Sequence, residues 1–143
     1  MKELEALKSC YRDYLKLTET LAEKASPTAG LLGLTAGPED DPRHEEFYDR
    51  VGVLTAELLA AQPDDAALLA AAELILRSAA ERGTGDLAYG FLFAAQKHAG
   101  PLIPLLSKED CARLRDEYDR LYPKRDRMPV QREVFRLLKR RAG

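Results

Sequence analysis

Apolar residues at Leu4, Leu7, Tyr11, Tyr14, Thr18, Leu21 and Ala25 recur at steps of three and four, the spacing that lines up side chains on one face of a helix. Leu15 and Ala22 widen the stripe to the breadth a bundle helix buries. The pattern predicts helix 1 from Lys2 to Ala25, closed by Ser26 and Pro27. A second seam follows at Phe47, Val51, Leu54, Leu58 and Ala61. Asp41 is placed to cap it, Pro42 suits its first position, and Glu45 and Glu46 favour its positive end. Pro63 stops helix 2, and Asp64 with Asp65 opens helix 3.

Two segments lack a polar face. From Ala66 to Leu76 the only charge is Glu73, and Leu87 to Gln96 has none but holds Tyr89, Phe91 and Phe93. A helix that is apolar nearly all round belongs inside. Helices 3 and 4, spanning about 65–98, are therefore expected at the centre, joined by the turn from Arg82 to Asp86. Gly90 is expected to admit a neighbouring backbone, and His98 with Gly100 reads as a helix end with a left-handed cap.

Pro101 to Leu106 reads as an apolar connector, after which Ser107 caps helix 5 with Asp110 three residues on. Its seam is Cys111, Leu114, Tyr118 and Leu121, limited by Pro123. Pro129 opens helix 6. There Val130, Val134, Leu137 and Leu138 form an apolar stripe flanked by Phe135, while Arg132, Arg136, Lys139 and Arg140 line the other side. No stretch alternates apolar and polar residues long enough to predict a strand. The expectation is all-α: one helical domain over 1–143, a bundle of five to six helices, with a long loop at 26–42 and a basic C-terminal helix within 124–143. The loop carries Leu31, Leu32 and Leu34 and is expected to pack over the bundle, or to serve as a lid or partner-binding loop.

The 143-residue length suits one domain, with 45% hydrophobic and 32% charged residues. Residues 1–10 hold no apolar run like that of a secretory signal. The longest uncharged runs fall short of the roughly 20 residues that cross a bilayer. These features predict a cytoplasmic protein with no membrane partner. The net charge of −2 conceals an imbalance. Residues 124–143 carry eight Lys or Arg against Asp126 and Glu133, leaving 14 basic and 22 acidic residues elsewhere. Such a basic end is a candidate contact for nucleic acid or for an acidic protein surface.

Candidates for chemistry are few. His44, His98, Cys10 and Cys111 are the nitrogen and sulfur ligands, and none pair at the close spacing of structural zinc sites. Asp41 and His44 form a single Asp-x-x-His, whereas a di-iron bundle needs two Glu-x-x-His pairs and two more carboxylates. The cysteines read as small core residues. Gly83 to Gly90 follows a predicted helix and has no phosphate-loop lysine, so it reads as a turn. Glu73 is expected to pair with Arg77 at i+4 rather than to act as an acid or base. No metal, cofactor or catalytic residue is assigned.

The reading is of a small non-catalytic protein-interaction or scaffold module, acting on a protein partner or as a homo-oligomer. Arg132, Arg136, Lys139 and Arg140 are its candidate contact. Two alternatives stand beside it. One is a nucleic-acid-binding accessory protein using the same four cations. The other is a small-molecule-binding or enzymatic bundle with a pocket near helix 4, around Tyr89, Phe91, Phe93 and His98.

Overall fold

A computed structural model of the chain describes residues 1–24, 43–80 and 90–143. The expected 26–42 loop, the Asp41 cap, Tyr89 and the turn from Arg82 to Asp86 lie outside those residues. The architecture is all-α. Six α-helices are described: α1 (Lys2–Lys24), α2 (Arg43–Ala60), α3 (Asp65–Arg77), α4 (Gly90–Ala95), α5 (Lys108–Leu121) and α6 (Pro129–Ala142). Short 3₁₀ segments follow α4 at Gln96–Ala99 and Ile103–Leu105 and precede α6 at Lys124–Asp126. None of the described helices is long and apolar enough to cross a membrane.

The helix starts follow their capping chemistry. The Asp64 carboxylate accepts from the Ala67 N–H at 2.8 Å, and the Ser107 hydroxyl accepts from the Asp110 N–H at 3.0 Å. Each satisfies a donor that the first helical turn leaves bare. Helix α6 starts with Pro129, and the Gln131 side chain reaches back to accept the Met128 N–H at 3.2 Å.

Helix α1 packs on α2 and α3, α2 on α4, and α5 on α6 and α3. The α4 segment and the 3₁₀ turn after it sit between α2, α3 and α6, so the centre predicted for the uncharged run is occupied by it. Its helical geometry tightens to 3₁₀ at Gln96 rather than running on to His98. One hydrophobic cluster draws on all six helices. Through it runs an aromatic file in which Phe47 meets Tyr11 edge-on at 5.0 Å and Phe91 edge-on at 4.8 Å. Edge-to-face contact sets a ring's positive rim against its neighbour's negative face, so these pairs add to simple burial.

Beside the aromatic file is a sealed polar knot. Gln96 is fully buried, and Gln131 nearly so. The Gln96 Oε1 accepts from the Tyr118 hydroxyl at 2.6 Å and from Gln131 Nε2 at 3.4 Å, and Gln131 Nε2 also faces the Phe93 carbonyl at 3.4 Å. Three segments are thus tied at one point. Nearby, Tyr122 is buried, donates to the Leu76 carbonyl and accepts from the Ala80 N–H at 3.1 Å, closing α5 over the end of α3.

Several local expectations are corrected. Gly100 adopts right-handed dihedrals (φ −49°, ψ −51°), because the chain continues into another tight turn rather than reversing. A Cβ on Gly90 would meet nothing among the described residues, so none of their backbone approaches there. The glycine that does permit close approach is Gly52, where a Cβ would lie 2.8 Å from His98 Cε1. Leu121 is 36% exposed, and Tyr122 takes the inward place after Tyr118, because the helix ends there and turns its last side chain in. Ala61 is exposed because α2 stops at Ala60. Cys10 and Cys111 are buried free thiols, as expected of small core residues.

Leu138 is fully buried on α6, while Leu105 is 53% exposed. Replacing Leu138 by Ala is expected to cost about 2–5 kcal/mol through lost contacts and the cavity left behind. Leu105→Ala should stay within about 0.5 kcal/mol of the parent. Urea unfolding followed by circular dichroism checks both, and equal stability of the two variants would mean that α6 is not docked.

Candidate interaction surface

Helix α6 resolves into two faces. Val134 and Leu138 are buried against the body, with Val130, Phe135 and Leu137 packed partly around them. Gln131 extends the same stripe one turn earlier. The helix touches α5, α4 and the 3₁₀ segments at Gln96–Ala99 and Ile103–Leu105. It is anchored along most of its length rather than hanging free.

The four predicted contact residues, Arg132, Arg136, Lys139 and Arg140, are all exposed. Arg136 forms a two-pronged pair with Glu133 on its own helix, with Nε donating to Oε2 at 2.8 Å. That pair lowers the Glu133 pKa through the hydrogen bond from Arg136. Arg132 donates to the Arg127 carbonyl at 2.9 Å, and the Lys139 ammonium lies 5.7 Å from the Phe135 ring centroid. These local contacts orient the cations without removing them from water. Lys124 and Arg125 are exposed just before the helix and extend the basic surface.

Two other cations of the basic segment serve the fold instead. Arg127 is sunk into the body, its side chain 3% exposed. Its Nε donates to the Tyr122 carbonyl at 2.8 Å, its guanidinium pairs with Asp119, and it lies over the Phe135 ring at 4.1 Å. Arg141 donates to the Leu106 carbonyl at 2.9 Å. A planar guanidinium can hold a carbonyl, a carboxylate and a ring face together, which an ammonium cannot. The sequence marked these two only as further positive charges. Pro123 ahead of Arg127 was the available signal, since a chain breaking there turns a following side chain back on the helix it left.

The other candidates stay scattered. Arg77 binds Glu73 at 2.6 Å, as expected, and also grips Glu117 on α5, whose pKa falls mainly through that hydrogen bond. Burial pushes the Cys10 thiol up to about 11 and raises that of Cys111, so neither is poised as a thiolate. Phe91 and Phe93 are core rings. Among the described residues no group of three or more His, Cys, Asp or Glu is placed to hold a metal ion. No family model, curated protein or solved structure matches the chain.

His98 is a half-buried titratable group held against α2. Its ring packs against Tyr48 at 4.4 Å and over Gly52, and its Nε2 is sealed with no hydrogen-bond partner among the described residues. Burial lowers its pKa, opposed by a hydrogen bond to the Tyr48 backbone and by Asp49 and reinforced by Lys97. Protonation is therefore easier unfolded than folded. Stability is fully present above about pH 6.5 and is lost as pH falls through the lower, folded-state value. Comparing urea midpoints of the parent and His98→Phe from about pH 7.5 to about pH 5 should show a fall in the parent that the variant lacks. Parallel curves would mean that His98 is not held neutral by its surroundings.

Proposed function

We propose that the chain is a non-catalytic protein-interaction module whose outward face of α6 meets an acidic surface on a partner protein. The observation that carries this reading is the anchoring of α6. Its apolar face and Gln131 are fixed in the body, so Arg132, Arg136, Lys139 and Arg140 stand as a pre-positioned array. Pre-positioned charges lose little conformational freedom on binding and steer encounter at long range. The engagement of Glu73, the raised thiol pKa values and the neutral, half-buried His98 all favour binding over catalysis.

The same four cations suit phosphates, and salt separates the cases. Each phosphate contact releases counterions, so a nucleic-acid complex weakens steeply between about 50 and 200 mM salt. Phe135, an aromatic ring beside the basic face, is covered by Arg127 and Lys139 rather than offered for base stacking. Titrations against labelled polyglutamate and against labelled duplex and single-stranded nucleic acid test the reading. Binding of polyglutamate that weakens about tenfold or more on replacing the four cations by Glu is expected. Preferential binding of nucleic acid with a steep salt slope would replace the protein partner by nucleic acid.

A further inference from the structure

We infer that His98 is an acid-operated latch: a proton taken up at its sealed nitrogen releases the 3₁₀ segment Gln96–Ala99 from α2 and loosens the seat of α6. The latch lies where that segment meets α2. The edge of the imidazole faces Gly52, where a Cβ would lie 2.8 Å from Cε1 and 3.2 Å from each ring nitrogen. The glycine leaves the helix backbone bare, and the ring hydrogen-bonds the Tyr48 backbone about one turn earlier. The Tyr48 ring packs beside it, 4.4 Å between centroids. Nε2 is shut off from water and has no hydrogen-bond partner among the described residues.

This setting accommodates neutral imidazole and rejects imidazolium. The neutral ring has one N–H to give to the Tyr48 backbone, and its other nitrogen stays bare. The cation carries N–H on both nitrogens, and a charged donor left without an acceptor is far more costly than a bare nitrogen. Asp49 on α2 favours the proton, whereas Lys97 on the same 3₁₀ segment opposes it, and burial outweighs both. Among the described residues no charged group of α3, α4 or α6 acts appreciably on the ring, and the α6 side chain beside Gly100 is Leu137. The latch is therefore closed at neutral pH. It opens as pH falls through the lowered folded-state value, where the ring must turn out to water to hold its charge.

What moves with the ring follows from 3₁₀ geometry. At three residues per turn, Gln96 and His98 point about 120° apart. His98 thus meets α2, while Gln96 is fully buried towards Tyr118 and Gln131. The segment is four residues long and packs on both α2 and α6, so displacing it at His98 pulls on the amide contacts that seat α6. Other uses of the ring fit less well. A general base must reach its substrate, and Nε2 is closed off. A metal site needs further ligands, and among the described residues no group of three or more is placed to hold an ion. The latch concerns how α6 is seated, so it stands whether or not that helix meets a partner.

The test follows the full chain by NMR from about pH 7.5 to about pH 5. The chain has two histidines, so a His44→Gln background assigns the imidazole signals to His98. The ring should titrate below the ordinary value of about 6.5, and the Gly52 amide and Gln131 side-chain amide should move with the same midpoint. His98→Phe should remove that midpoint from both amides, with circular dichroism confirming the fold. Gly52→Ala, which favours the helix but crowds the ring, should raise the ring's midpoint towards about 6.5. The inference is overturned if the parent ring titrates at or above the ordinary value, or if either amide fails to move with it. It is also overturned if the shared midpoint persists in His98→Phe, or if Gly52→Ala leaves the ring's midpoint unchanged.

Discussion

Two glutamines sealed from water set the terms for the rest of this molecule. A buried amide that loses its partners costs on the order of 1–3 kcal/mol, so Gln96 and Gln131 must be met where they lie. Gln96 presents one oxygen to two donors, the Tyr118 hydroxyl and the Gln131 amide. Gln131 spends its own oxygen on the first turn of α6. Apolar packing alone would let α6 slide or rotate on α5 with modest penalty, because Val and Leu fit many similar hollows. The amide contacts admit one register, and with it one orientation of the basic face. Gln96 Nε2 is sealed with no partner among the described residues, so the knot constrains the geometry without being fully satisfied by them.

Arg127 reinforces the fixation beside the start of α6. Lying between the Tyr122 carbonyl, Asp119 and the Phe135 ring, it joins the close of α5 to the body of α6 across the short Lys124–Asp126 turn. Arg141 pins the last turn to Leu106. The basic segment is therefore divided: some of its charges hold the helix, and the others are displayed by it. An excess of positive charge along a chain says nothing about that division.

Much of the fold could be read along the chain because it rests on local rules. Asp64, Ser107 and Pro129 mark helix starts through backbone chemistry that needs no tertiary partner. The three- and four-residue seams at Leu4–Thr18, Phe47–Leu58 and Cys111–Tyr118 face the core, Tyr14 only partly buried, because the period alone fixes a face. What stayed hidden depends on which helix faces which. The sequence places His98 at a helix end, whereas its surroundings are Gly52 and Tyr48, some 50 residues away in sequence. Gly52 gave no sign of being the close-packing glycine, since that role is defined by the ring across from it. Gln131 was partly legible: it stands three and seven residues before Val134 and Leu138, on the buried face, where a polar side chain signals a partner inside. At the candidate interface, the exposure of Arg132, Arg136, Lys139 and Arg140 followed from the amphipathic pattern, while the burial of Arg127 required knowing where Tyr122 and Phe135 meet.

The knot also has a bearing on the order in which the molecule can be assembled at the ribosome. Gln96 and Tyr118 emerge well before Gln131, so a nascent chain that has formed α1 to α5 still holds an amide oxygen with only one of its donors and an uncovered hollow where Val134 and Leu138 belong. The extensive pairing of α5 with α6 is made only once α6 has emerged. Until then the partly built body exposes an apolar seat of the kind that chaperones hold. A translational pause before residue 129 would prolong that exposed state, and the arrival of α6 would end it by capping the hollow and closing the amide pair together.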